Sequence, residues 1–537
     1  MIGHCIRSNV VRCCRTYCKR NACNSLSGIV ISASSFQHCP GQRCSRRGQR
    51  HTRPAKVDCT AVRTTDSATD TEPTPRVSEA TSYKPKVGIV AVVPADQQHS
   101  LEAPWLEVIS HVADRLAWED PNFQVQVFTD EALHHMQTQS QYTAAAQKAQ
   151  ILLLFDISSA SILDVLLDSM STAPTAVALD SHPRLEAATK LNNVTLTKPW
   201  EKAAATLPWS SSAKSSKVLQ SVRDVYKRKT SDDLLFMLLV LIDAYITEVP
   251  LVKSMQAQDL STVWKMCTKC GKQILACVRD PECKAALDCL TSCASNDQVC
   301  SFRCIVSYES QLLEDFSLCI LQKNNCLGLH SDIPFRPRVL PMTHWKGQRL
   351  THHQAEELFI GWLPEKRWSW IVVAGQNVAY DQFPCQYQLY YRGRARNSLW
   401  YDPVFQVITL DGKTVWRRRH YRVRRAEEPG TFHFSVLDNG VISKEFWRIV
   451  HVEEDLSWAL FYYAGAASVV GQAYRGAVLV TPDGKWPAAD QEDVLEAALQ
   501  KCGIKRWELY KVDNSSTLEA PLTIPEGPMK TLQAETI

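Results

Sequence analysis

Ten cysteines, Cys267, Cys270, Cys277, Cys283, Cys289, Cys293, Cys300, Cys304, Cys319 and Cys326, crowd into one stretch of 60 residues. Thiols at this density hold a metal, exchange with other thiols, or are locked in disulfides. Zinc sites use two tight C-x-x-C-like pairs separated by a knuckle loop, usually with histidine among the ligands. Only Cys267 and Cys270 have that spacing, and no histidine falls between them and Cys326. A redox C-x-x-C sits at the end of a strand before a helix, whereas "CTKC" opens a run of helical segments. Disulfides remain. "KQILACVRD", "ECKAALDCLTSC" and "FSLCILQKNNC" place cysteines at helical offsets among few large apolar residues. Burial alone leaves such a unit marginal, and cross-links worth about 2–4 kcal/mol each supply the rest. Bridges in this number point to an oxidising site of action.

The elements around this string fall into distinct units, as expected for 537 residues with 45% apolar content. "VGIVAVV" (87–93), "FQVQVF" (123–128), "AQILLLFDI" (149–157) and "TAVAL" (175–179) are short apolar runs separated by helical patterns. They predict an α/β (Rossmann-like) domain over 86–255, closed by amphipathic helices between 213 and 248. "LLFMLLVLIDAYI" (234–246) is too short to span a bilayer and contains Asp243, so it reads as a buried helix. Gly88 is the one glycine between residues 86 and 255. Phosphate cradles need glycines where backbone N–H groups approach the anion, so this domain reads as regulatory or docking rather than nucleotide-binding.

A disulfide-rich helical domain covers 260–330. Beyond it, "WSWIVVAG", "QYQLYYRG", "VFQVITLDGKTVW", "FWRIVHV", "SWALFYYAG" and "GAVLVTPDG" alternate aromatic and branched residues between glycine turns. They predict an antiparallel barrel or sandwich over 345–505, followed by a C-terminal helix, "QEDVLEAALQKCG" (491–503), and a disordered tail from 506 to 537. The whole is an α+β multidomain chain. Its first 57 residues hold eleven Lys and Arg and no Asp or Glu, which reads as an organellar transit peptide over 1–59. Residues 60–85, rich in Thr and Pro, read as a linker. Without these first 57 residues, 49 basic residues face 56 acidic ones, a balance that gives no support to nucleic-acid binding. "WRRRHYRVRR" (416–425) spreads its charges over both faces of a strand and reads as a solvated edge.

The cysteine spacing, together with "RWSWIVVAGQNVAYDQFPCQ", "EFWRIV", "FYYAG" and "YRGAVLV", resembles the violaxanthin de-epoxidase family over residues 264–503, and more nearly its related-protein branch. That resemblance implies a lipocalin-type β-barrel holding a carotenoid or other long apolar ligand, with ascorbate as reductant and no metal. It implies a chloroplast location, in the thylakoid lumen or at the membrane surface through a peripheral contact, rather than the stroma. It also implies the pairings Cys267–Cys283, Cys270–Cys277, Cys289–Cys304, Cys293–Cys300 and Cys319–Cys326. The family's partner for Cys385 is absent here, leaving Cys385 free or able to meet Cys502.

Glu445 stands where the family has its catalytic aspartate, two residues before Trp447. Val480 stands where it has a catalytic tyrosine, and His420 where a glutamine contacts ligand. Tyr463 and Gln386 match residues near the family's site, and Asp381 is grouped with them as ligand-facing. Opening an epoxide reductively needs a proton delivered to oxygen, which suits a carboxylic acid kept neutral by an apolar interior. The alternative for Glu445 is a solvated strand carboxylate beside Lys444. For the whole chain, the alternative to an oxidoreductase is a barrel that binds pigment or lipid without chemistry.

Overall fold

The computed structural model describes residues 86–95, 103–191, 208–254, 260–294, 296–393 and 398–524. The expected transit peptide (1–59) and linker (60–85) lie outside them. Four parallel strands, β1 (Val87–Val93), β2 (Phe123–Thr129), β3 (Ile151–Phe155) and β4 (Thr175–Leu179), form a sheet in the order β2-β1-β3-β4. Helices α1 (Trp105–Glu119), α4 (Pro208–Tyr226) and α5 (Ser231–Tyr245) cover one face. Helices α2 (Met136–Lys148) and α3 (Leu163–Thr172) cover the other. Val87, Ile89, Ala91 and Val93 therefore point into one core and Val90 and Val92 into a second, which is why the strands read as unbroken apolar runs. Four strands fall short of the two-half, six-stranded Rossmann arrangement, so the Rossmann-like expectation reduces to a small parallel α/β sheet. The apolar run within α5 is a core helix, capped by Thr230 and buried from Leu234 to Leu239. No described helix is long and apolar enough to cross a membrane.

The cysteine-rich unit is helical, with α6 (Leu260–Arg279), α7 (Pro281–Ser292), α8 (Gln298–Ser307) and α9 (Gln311–Ser317). Asp280 and Asp297 cap α7 and α8 by accepting from the amides of Cys283 and Cys300. Cys289–Cys304 and Cys293–Cys300 pair as the resemblance implies. The others do not: Cys270 bridges Cys319 and Cys277 bridges Cys283. Cys267 is also disulfide-bonded, and Cys326 is a buried free thiol. The reason is tertiary. A break in α6 at Cys270, together with packing of α9 and the following turn on α6, brings Cys319 beside a residue 49 positions away.

After α10 (His352–Ile360) the chain forms a closed antiparallel ring of eight strands. These are β5 (Trp370–Gly375), β6 (Tyr387–Arg392), β7 (Leu399–Ile408), β9 (Tyr421–Arg425), β10 (Thr431–Asp438), β11 (Val441–Val452), β12 (Ala459–Ala467) and β13 (Gln472–Thr481). A ninth strand, β8 (Thr414–Arg418), extends the ring from β7. Alternation sends Trp370, Tyr390, Tyr401, Phe434, Trp447, Phe461 and Tyr463 inward. It sends Phe446, Tyr462 and Leu479 outward beneath α11 (Glu492–Lys501). The expected disordered tail is corrected: β14 (Tyr510–Lys511) pairs with β5, and Ala520 and Leu522 are buried against the barrel, so order continues to residue 524 and the remainder lies outside the described residues. Cys385 and Cys502 are both free and buried, and no bridge joins them.

Peptide mapping under denaturing, non-reducing conditions should recover Cys270–Cys319 and Cys277–Cys283 and an alkylatable Cys326. Recovery of Cys319–Cys326 instead would reject this topology.

Candidate active site in the barrel

Two carboxylic side chains lie inside the barrel. Strand alternation carries Glu445 of β11 inward with Trp447 and Ile449, leaving it 5% exposed. Its Oε2 accepts from Trp447 Nε1 at 2.6 Å and its Oε1 from the Tyr474 hydroxyl at 2.8 Å. The solvated-carboxylate alternative is thereby overturned. Asp381, in the turn after β5, is also buried. It accepts from the Tyr463 hydroxyl at 2.9 Å and from the Asn377 amide at 2.8 Å. Tyr463 stacks on Trp447 with ring centroids 5.0 Å apart, so the two carboxyls are joined through one pair of rings.

Burial raises both acids. Desolvation pushes Glu445 above its ordinary value, against the hydrogen bonds from Trp447 and Tyr474. Desolvation outweighs the bonds to Asp381 from Asn377 and Tyr463, and with the charge of Glu445 lifts that group to about 7. Burial and the facing carboxylates also push the Tyr463 and Tyr474 hydroxyls well above the usual phenol value, so both remain donors. Three glycines make the room. A Cβ on Gly465 would lie 2.6 Å from Glu445 Cγ, one on Gly476 2.6 Å from the Tyr463 hydroxyl, and one on Gly375 2.1 Å from Asp381 Cβ.

Toward the rest of the interior, Trp447 stacks on Phe434 and leans on Tyr401, which stacks on Tyr390. The result is a continuous column of rings. Beside the carboxyls, Tyr380 accepts from Gln472 and packs against Phe302 of α8, while Gln298 of the same helix donates to the Ala473 carbonyl. The cysteine-rich unit thus borders the carboxyl end of the barrel through a helix held by two disulfides. Among the described residues the group with metal-ligand geometry is Cys293, Cys300 and Cys304, and their sulfurs are tied up in those bridges, which leaves no thiolate to bind an ion.

Residues 262–514 match the family model of the VDE lipocalin domain. Violaxanthin de-epoxidase of Nicotiana tabacum is 24% identical over 273 residues, 49% of this chain and 54% of that protein. Its Arabidopsis thaliana counterpart is 23% identical over 304 residues, 54% and 62% of the two chains. Residues 262–514 are a lipocalin domain of the violaxanthin de-epoxidase family. The match spans little more than half the length of these curated relatives. Among solved structures, lobster apocrustacyanin A1 is 15% identical over 35% of this chain and 96% of that one, with a TM-score of 0.22.

Within this de-epoxidase-family domain the expected site residues divide. Glu445, Trp447, Tyr463 and Asp381 come together. Gln386 is buried next to β5, its main-chain carbonyl accepting from the Val372 amide and its side-chain nitrogen without a partner. His420 is elsewhere: on the outer face it stacks on Trp400, contacts Asp402 at 2.7 Å and is 53% exposed. Val480 faces inward but lies six residues along β13 from Tyr474, about 20 Å at the rise of a strand. It packs among apolar side chains and does not adjoin Glu445. The hydroxyl that reaches Glu445 is that of Tyr474, which alternation along "QAYRGAV" could have placed on the inner face.

Asp381 gives a pH test with a definite sign. Its folded-state value is raised, so the stability from its protonated form is fully present below the ordinary carboxyl value and is lost as pH rises through about 7. Calorimetric melting should show the parent gaining on Asp381→Asn between pH 8 and pH 5; parallel Tm curves would remove Asp381 from this account. Val480→Tyr should only overpack the barrel, costing about 1–3 kcal/mol of stability in chemical denaturation with no gain in chemistry.

Proposed function

We propose that this domain is an acid-assisted, de-epoxidase-like oxidoreductase acting on an epoxide carried by a long apolar molecule such as a xanthophyll, with Glu445 as proton donor. The observation that carries the reading is the enclosed Glu445 carboxyl, raised above its ordinary value and oriented by both Trp447 and Tyr474. Removing an epoxide oxygen breaks two C–O bonds and forms a C=C bond. Two electrons and two protons are consumed, and the oxygen leaves as water.

Glu445 gives the first proton to the epoxide oxygen as the first C–O bond breaks. Tyr474 holds the carboxyl so that its proton meets the oxygen. Asp381, neutral through mild acid and held by Tyr463 and Asn377, supplies the second proton as the oxygen departs. The electrons come from a reductant, ascorbate by the family resemblance, which is oxidised to dehydroascorbate. The buried, unpartnered amide nitrogen of Gln386 is a free donor of the kind a polyhydroxylated co-substrate would engage. The column of rings from Trp447 to Tyr390 suits a flat polyene. A plastid location is part of the proposal, supported by the chloroplastic names of the relatives.

The second reading, a binder without chemistry, draws on the same aromatic interior. Incubating the chain with violaxanthin and ascorbate near pH 5 separates the two. Turnover should rise as pH falls, and Glu445→Gln should lower it by a factor of about 10² or more while binding survives. Tyr474→Phe should lower it by roughly tenfold by freeing the carboxyl. Binding without turnover in the parent establishes the second reading.

A further inference from the structure

The parallel α/β unit has no part in the chemistry above, yet it meets the barrel directly behind the carboxyl pair. Arg115 of α1 is buried and donates to Ser231 Oγ at 2.9 Å, to Glu508 at 3.2 Å and to Asp232. Glu508, after the barrel's last helix, also contacts His111 of α1 at 2.8 Å and accepts from Ser231. Asp232 stands at the first turn of α5 and looks the other way. Its Oδ2 accepts from Gln376 Nε2 at 3.1 Å, and its Oδ1 lies 4.0 Å from Arg475 Nη2.

Gln376 and Arg475 are the immediate neighbours of the site. Gln376 follows β5 and pairs its amide with Ala477 of β13. The next residue, Asn377, donates its amide to Asp381 and its side-chain nitrogen to the Arg475 carbonyl. Arg475 follows Tyr474, the residue that holds Glu445, and its guanidinium lies over the Trp118 ring of α1. Two short paths therefore run from the α/β unit into the barrel, one through Gln376 and Asn377 to Asp381, the other through Arg475 and Tyr474 to Glu445.

We propose that the α/β unit positions the barrel's carboxyl pair, with Asp232 and Arg115 as positioning residues acting through Gln376 and Arg475. The inference takes the pair as the reactive centre, and so rests on the reading above for its functional consequence. Its structural content stands apart from that reading. The turn 376–381 leaves the end of a strand. Its tether on the side away from the ring is an ion-paired carboxylate belonging to another unit. The buried guanidinium, paired with Asp232 and Glu508 and bonded to Ser231, holds that half-exposed carboxylate in place, because releasing it strips a desolvated charge of one of its two counter-ions.

Hydrogen exchange in the full chain reads this directly, since the Asn377 amide is the one bonded to Asp381. Asp232→Ala should speed exchange over 376–381 and 474–476 by about tenfold or more, and Asp232→Glu should restore most of the protection. Gln376→Met cuts the first path without touching the buried cluster, and should release 376–381 alone. Glu107→Ala, which loses the exposed Trp507–Glu107 bond in the same interface and leaves the Trp507 ring against His111, should leave both segments unchanged. If Asp232→Ala does not fold, Gln376→Met decides the matter. The proposal is overturned if Gln376→Met leaves 376–381 as protected as in the parent, or if Glu107→Ala exposes both segments equally, as simple adhesion between the units would require. Turnover is a separate arm. In an active parent, Asp232→Ala should lower kcat more than it changes KM. An inactive parent whose segments still respond in exchange would fail the functional reading and leave the positioning intact.

Discussion

Burying two carboxyl groups within a barrel otherwise filled by aromatic rings is the constraint on which much of this structure turns. An ionised carboxylate in such surroundings costs several kcal/mol unless it is paired, and among the described residues no cation faces either group directly. The chain resolves the conflict by keeping both acids hydrogen-bonded and biased toward the neutral form. Every donor comes from a different place: the indole of Trp447, the hydroxyls of Tyr474 and Tyr463, and the backbone of Asn377. None of these can move far, because three glycines leave room for these side chains and no larger residue would fit.

This arrangement explains why two other units border the carboxyl end of the barrel. The cysteine-rich unit builds its core partly from its own cysteines, Cys270, Cys277, Cys283, Cys319 and Cys326, and the helix it presents to Tyr380 and Phe383 is pinned on both sides by bridges. The α/β unit has two full cores and meets the barrel through buried charge. Hydrophobic contact fixes a distance loosely, whereas a guanidinium with three acceptors fixes a direction. The units thus meet the barrel by different physical means at the places where the site needs its geometry held.

Much of the fold was legible in the amino-acid pattern. The four apolar runs of the first unit, the core helix from Ser231, the helical cysteine unit and the aromatic alternation of the barrel each follow a local period. Glu445 was legible as well, because period-two alternation puts it on the same face as Trp447. Tyr474 obeys the same rule, yet the family pattern points to position 480, at the other end of strand β13. His420 was misplaced because it sits in the break between β8 and β9, where alternation gives no guide to face.

The sequence by itself determined the division into units, the period of each element and the inward-facing strand position of Glu445, because these depend on residues a few positions apart. Tertiary structure alone decided which cysteines pair, which hydroxyl reaches Glu445 and what the α/β unit touches. Cys270 meets Cys319 across 49 positions, Tyr474 meets Glu445 across two intervening strand turns, and Arg115 meets Glu508 from opposite ends of the described chain. Contacts of that span follow from ring closure and the docking of whole units, and no local period in the chain encodes them.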